Sequence, residues 1–188
     1  MPKITQSKIL ILATDGFEKS ELFVPLEKLK DAGATVVVAA PEKRTIKSWD
    51  KKDWGETIEA DCAAADVDIS DYDALVLPGG QINPDLLRVD TDAIAVVKTF
   101  LKSGKVVAAI CHGPWLLAEA GVLEGTDVTS YHSIKTDLIN AGANWHDEEV
   151  VADKGIVTSR SPGDLDAFVS KIIEEVEEGR HEERKLAA

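Results

Sequence analysis

The sequence predicts an α/β fold: a doubly wound, three-layer α/β/α sandwich around a mainly parallel sheet. Three observations predict it. Short runs of Val, Ile, Leu and Ala recur without the alternation that a sheet with one wet face would show. Segments with apolar residues three and four apart separate those runs. Glycine follows several of these segments, where a helix hands over to a strand. Strands joined through helices in one sheet need right-handed crossovers, which make the strands parallel.

In chain order, Lys8 to Ala13 reads as a buried strand that stops at Asp15-Gly16. A helix follows from Ser20, with Leu22, Leu26 and Leu29 on one face and Gly33 ending it. Thr35 to Ala40 is the next strand, and Ala74 to Pro78 another, closed by Gly79-Gly80. Thr91 to Ser103 has helical spacing at Ile94, Val97 and Leu101, with Gly104 behind it. Val106 to Ile110 is a strand that leads into a helix from Pro114 to Ala120. Val150-Val151 and Ile156 to Ser159 read as late strands. The last helix carries Leu165, Phe168, Val169, Ile172, Ile173 and Val176. Residues 43–61 are polar, contain Trp49 and Trp54, and fit a hairpin or long loop outside the alternation.

The 188 residues, 44% of them hydrophobic, suit one domain with a core spanning about 8–176. The polar tail, 177–188, is expected to fray. No run approaches ~18 apolar residues, so no membrane span is expected. The opening segment reaches Asp15-Gly16 too soon for a secretory signal, which points to the cytoplasm. A net charge of -13 argues against nucleic acid or anionic lipid as partners. Two cysteines, Cys62 and Cys111, make no disulfide framework, and the four histidines are too scattered for a metal site. No glycine-rich phosphate loop is present, so neither metal nor cofactor is expected.

The chemistry concentrates in Val106-Val-Ala-Ala-Ile-Cys-His-Gly-Pro-Trp115. Cys111 sits between a buried strand and a helix, with the small residues Ala109 and Gly113 two positions either side. That is the pattern of a nucleophile elbow, whose tight turn tolerates only small flanks. Amide N–H groups and the helix start beyond the turn would favour a thiolate, so a low thiol pKa is expected. Amides of Cys111, His112 or Gly113 would hold an oxyanion. His112, next in sequence, is a general base if the turn brings it round, and otherwise a satisfied core histidine. Cys62 has no such setting and reads as structural.

Several motifs occur in order from about Lys8 to Val176: DGFEKSELFVP, VLPGG, AICHGPWLLAEAGVLEG, TSYHSIKTDLINAGANW and EVVADKGIVTSRSPGDL. Together they resemble the ThiJ/PfpI superfamily, in its branch of PfpI-like intracellular proteases and bacterial general stress proteins. The resemblance implies a flavodoxin-like fold, a nucleophile at Cys111 and His112 beside it. It implies a pocket glutamate at Glu21, with Glu18 nearby; a solvated first helical turn is the alternative for both acids. It places at Asp85 an acid that orients the histidine of a neighbouring subunit, the alternative being an ordinary helix N-terminal acid. Gly79, Gly80, Gly113 and Tyr131 are expected to line the substrate pocket, and His132 receives no role.

The expected function is therefore a stress-response enzyme acting on reactive aldehydes, of the glyoxalase or deglycase type. A PfpI-type cysteine protease is the first alternative, and a redox sensor or chaperone-like protein the second. Acid and base groups beside a thiol in a small pocket suit a small aldehyde better than an extended peptide. Expected partners are a small aldehyde, glycated or peptide substrate and further copies of the chain, as homodimer or hexamer. A class I glutamine amidotransferase also uses a cysteine elbow, but its late His-x-Glu pair follows a strand. Here His146-Asp-Glu148 precedes one, and Arg160-Ser-Pro-Gly follows Ile156 to Ser159.

Overall fold

The computed structural model describes residues 3–187. The chain runs β1 (Lys8–Leu12), β2 (Phe17–Glu18), α1 (Lys19–Asp31), β3 (Thr35–Ala40), β4 (Thr45–Asp50), β5 (Asp53–Glu59), β6 (Cys62–Ala63) and β7 (Ala74–Leu77). It continues through α2 (Ile82–Leu87), α3 (Thr91–Lys102), β8 (Val106–Ile110), α4 (Trp115–Ala120), β9 (Asp127–Val128) and α5 (Lys135–Asn140). The last elements are β10 (Asn144–Trp145), β11 (Val150–Asp153), β12 (Ile156–Ser159) and α6 (Leu165–Glu178).

Seven strands form one sheet in the order β11-β12-β8-β7-β1-β3-β6. All pairings are parallel except β11 with β12. Both faces of the sheet are buried, which explains the unbroken apolar runs. In β1, Ile9 and Ile11 face a layer holding Leu22, Leu26 and Leu29 of α1 with Phe168, Val169 and Ile172 of α6. Leu10 and Leu12 face the opposite layer, with Val97, Phe100 and Leu101 of α3 and Leu116 and Leu117 of α4. The expected three-layer, doubly wound sandwich is what the chain forms.

Chain direction across the sheet reverses at β1. From there β3 and β6 lie to one side, and β7, β8 and β12 to the other. Side chains at the carboxyl ends of strands meet at such a reversal, and a crevice there is the usual binding place of this architecture. Here it joins the turns after β1, β7 and β8.

Residues 43–61 resolve into a hairpin, β4 against β5, to which β2 adds as a third strand. Trp49 and Trp54 pack edge to face across it, with ring centroids 5.5 Å apart. Cys62 is half-buried against the second core layer, in keeping with its structural reading.

The expected fraying of the tail is corrected. Residues beyond α6 lie along the molecule: His181 N–H donates to Gly104 O at 2.9 Å and Ala187 N–H to Gly121 O at 2.8 Å. Arg184 is only 8% exposed. Its guanidinium donates to the carbonyls of Leu101, Lys105 and Lys154 at 3.2, 2.8 and 2.6 Å. Polarity of the segment suggested solvent, yet a single arginine meeting three backbone acceptors is enough to hold it. Among the described residues no helix is long and apolar enough to cross a membrane.

Candidate functional site

At Cys111 the strand β8 turns towards α4 with φ +63°, a left-handed conformation that side chains rarely adopt. Small flanks permit it. A Cβ on Gly113 would stand 2.6 Å from Leu77 O and 2.9 Å from Ile110 O. A Cβ on Gly79 would stand 2.5 Å from Glu21 Oε2 and 2.6 Å from Cys111 Cβ. The elbow expected from the sequence is formed, and the turn after β7 fits closely against it.

The turn brings His112 round to its neighbour: Nδ1 lies 3.2 Å from Cys111 Sγ. His112 is buried, stacked on the Tyr131 ring at 4.9 Å and met edge-on by Trp115 at 5.2 Å. Its other nitrogen, Nε2, lies 3.1 Å from Ser133 Oγ. Burial, and secondarily the charge of His132, holds the His112 pKa below its ordinary value, so the ring is a neutral base.

Glu21, in the first turn of α1, is fully buried. Its Oε2 accepts the Gly79 N–H at 2.9 Å, and its Oε1 is buried with no hydrogen-bond partner among the described residues. Burial first, and then the charge of Glu18, pushes its pKa up to about 8, so it carries a proton at neutral pH. Glu18 is the outer acid, half-buried, its own pKa raised mainly by burial; Ser20 donates to it at 3.3 Å. Glu21 is thus the inner acid, packed with Cys111 around the Gly79 backbone.

Two expectations about the thiol are corrected. Burial, and then an ionised Glu21, pushes the Cys111 pKa up rather than down, while the amides of Gly80 and His112 pull the other way. The helix start does not dominate because the sulfur sits inside the fold, only 7% of the residue being exposed. Of the three amides expected to hold an oxyanion, two are already spent. Cys111 N–H donates to Ser159 O at 3.0 Å and Gly113 N–H to Ile110 O at 2.8 Å. His112 and Gly80 carry the amides that favour a charged sulfur instead.

The structure therefore brings Cys111, His112, Glu21, Gly79, Gly80 and Tyr131 together, with Glu18 at the rim. Gly113 lies behind the elbow, its backbone packed on β7 rather than facing an opening. Asp85 is exposed in the first turn of α2, and no hydrogen bond joins it to His112 of its own chain among the described residues. Beyond Tyr131, a cleft of about 270 Å³ is lined by Ser130, Tyr131, His132, Trp145, Asp147, Arg160 and Ser161.

Two contributors had no signal in the sequence. Ser133 is one. Asn83 is the other: fully buried, its amide donates to Pro78 O at 2.9 Å and Gly79 O at 3.1 Å. Its Oδ1 accepts Thr14 N–H at 2.7 Å, so it ties the turn after β1 to the turn after β7. Among the described residues one group has metal-ligating proximity, Glu175, Glu178 and His181 at the end of α6. Lys171 already neutralises Glu175 at 2.8 Å.

The DJ-1/PfpI family model matches residues 7–175. Deglycase TK1284 of Thermococcus kodakarensis is 45% identical over 166 residues, 88% of this chain and 97% of its own. YraA of Bacillus subtilis, provisionally named a cysteine protease, is 48% identical over 164 residues, 86% of this chain and 93% of its own. Among solved structures, Drosophila melanogaster DJ-1beta is similar with a TM-score of 0.81 at 31% identity, covering 95% of both chains.

Proposed function

The chain belongs to the DJ-1/PfpI family, and from that premise we propose that it is a cysteine-dependent enzyme for small reactive aldehydes and their early glycation adducts. The observation that carries the reading is the burial of the thiol. With Cys111 7% exposed and enclosed by Glu21, the Gly79-Gly80 turn and His112, the substrate that suits it is a two- or three-carbon carbonyl compound. An extended peptide needs an open groove across the nucleophile.

With methylglyoxal as substrate, each group has a task. His112 Nδ1 takes the thiol proton as sulfur bonds to the aldehyde carbon, and returns it to the new alkoxide, giving a hemithioacetal. The amides of Gly80 and His112, which favour a charged sulfur, are the ones proposed to stabilise that oxygen while it is charged. Glu21 passes its resting proton to the ketone oxygen and, now a carboxylate, removes the proton from the former aldehyde carbon; it then delivers that proton to the adjacent carbon and takes back the one released by the hydroxyl that becomes the thioester carbonyl. The result is a thioester of lactate. Water, activated by His112, cleaves it to lactate and free thiol, so the sum is methylglyoxal plus water to lactate. A carboxyl whose pKa is about 8 suits this work, because it gives and takes protons near neutrality at little cost.

Lactate formation followed by NMR in amine-free buffer tests the proposal, with Cys111→Ala as control. Lactate that depends on Cys111 supports it. Cys111-dependent cleavage of peptides without lactate would overturn it in favour of the protease reading, which the name of YraA favours.

A further inference from the structure

We propose that Ser133 is the positioning residue of His112: its hydroxyl accepts the Nε2–H and thereby fixes the tautomer that leaves Nδ1 free for the Cys111 proton. The inference rests on the Cys-His chemistry proposed above and adds the group that makes His112 a base. A histidine next in sequence to its nucleophile needs something to set both ring orientation and proton position. Orientation comes from the sandwich of Tyr131 at 4.9 Å and Trp115 at 5.2 Å. Neither ring offers the imidazole a hydrogen bond in that geometry. The polar contacts of the ring are two, Sγ at 3.2 Å on Nδ1 and Ser133 Oγ at 3.1 Å on Nε2. No carboxylate hydrogen-bonds His112 among the described residues.

Chemistry selects between the two tautomers. A resting thiol donates to Nδ1 only if that nitrogen carries its lone pair, so the ring hydrogen sits on Nε2 and points at the serine oxygen. When the S–H bond breaks and the Nδ1–H bond forms, Nε2–H keeps the same acceptor, and nothing has to turn. An alcohol serves both states without adding charge. The imidazolium is then not held in an ion pair, and the proton is free to return to the substrate oxygen. The titratable groups that face the ring fit this: Cys111 on one side, Glu21 behind the thiol, and Tyr131 and His132 on the other. Ser133 lies in the short turn His132–Ile134 that enters α5, with its side chain at the surface. Its hydroxyl hydrogen therefore has water as an outlet.

The test compares Ser133→Ala with Ser133→Thr, which keeps the hydroxyl. Long-range 1H–15N spectra of the His112 ring report the tautomer, iodoacetamide alkylation reports the thiol, and methylglyoxal kinetics report kcat and KM. Wild type and Ser133→Thr are expected to hold the hydrogen on Nε2. Ser133→Ala is expected to show mixed tautomers, slower alkylation and a kcat lower by about tenfold, the rate equivalent of one neutral hydrogen bond, with KM little changed. A wild-type ring protonated on Nδ1 overturns the proposal, as does a Ser133→Ala ring with unchanged tautomer. If wild type makes no lactate while the tautomer still follows the hydroxyl, the aldehyde reading falls and the assignment of Ser133 stands.

Discussion

Cys111 and Glu21 share one small volume, and neither ionises without regard to the other. Their titration belongs to the pair. Below pH 8 the Glu21 carboxyl is protonated; above it a carboxylate faces the sulfur and resists a second negative charge. Glutamine keeps a donor there and never ionises. Iodoacetamide alkylation of Cys111 is therefore expected to run alike in wild type and Glu21→Gln at lower pH, and faster in Glu21→Gln above about pH 8. Superimposable profiles over the whole range would dissociate the two groups. The sequence showed where Cys111 would be, because an elbow has a spelling, Ala109, Cys111 and Gly113 around a strand end, whereas Glu21 was indicated by the family resemblance alone. It did not show the electrostatics. Whether a helix start or burial governs a thiol depends on the lid of neighbouring turns, and the Gly79-Gly80 turn that closes over Cys111 comes from a strand more than thirty residues upstream.

Among the elements, the long ones were legible and the short ones were not. α3 and α6 repeat apolar residues over three turns or more, and β1, β3, β7 and β8 are unbroken apolar runs. α2 and α5, six residues each, and the two-residue strands β2, β6, β9 and β10 are too brief for any period to declare itself. α2 nevertheless sets the site, through Asn83. Asn83→Ala leaves Pro78 O and Thr14 N–H without their buried partner, while Gly79 O keeps the Glu18 N–H at 3.3 Å. Each such group costs about 1 to 3 kcal/mol, so a loss of roughly 2 to 6 kcal/mol in denaturant unfolding is expected, with kcat falling as the Gly80 amide shifts. An unfolding midpoint and kcat both at wild-type level would show that the turns hold without it. The hairpin β11–β12 was readable as two strands yet not as antiparallel; its turn, Lys154-Gly155, has positive φ at both residues, and lysine gives no hint of that.

For the whole molecule, the buried acid makes stability depend on pH. The Glu21 pKa rises on folding from 4.5 to about 8, so the folded state holds its proton more tightly than the unfolded chain. The stabilisation this gives is complete below pH 4.5 and is lost as pH climbs through about 8. The Tm of wild type minus that of Glu21→Gln should therefore fall steadily from about pH 5 to about pH 9, and a flat difference would contradict the shift. Association of copies is a second property at this scale. Ile82, Leu86 and Val89 are 36%, 48% and 79% exposed around Asp85. We propose that this face meets a second copy, with Asp85 at the seam between them. Mixing Cys111→Ala with Asp85→Ala subunits should restore part of the lost activity; exchange without recovery, or an active monomer in light scattering, would count against it. How such copies meet is constrained by the margins of the sheet. On one side β6 offers two residues, and the Asp61 carboxylate accepts the Val38 N–H at 2.8 Å where a further strand would dock. On the other, β11 is a four-residue antiparallel strand. Short edge strands such as these limit pairing with another backbone. The short margins of the main sheet leave copies of the chain to recognise one another by side chains rather than by extending that sheet.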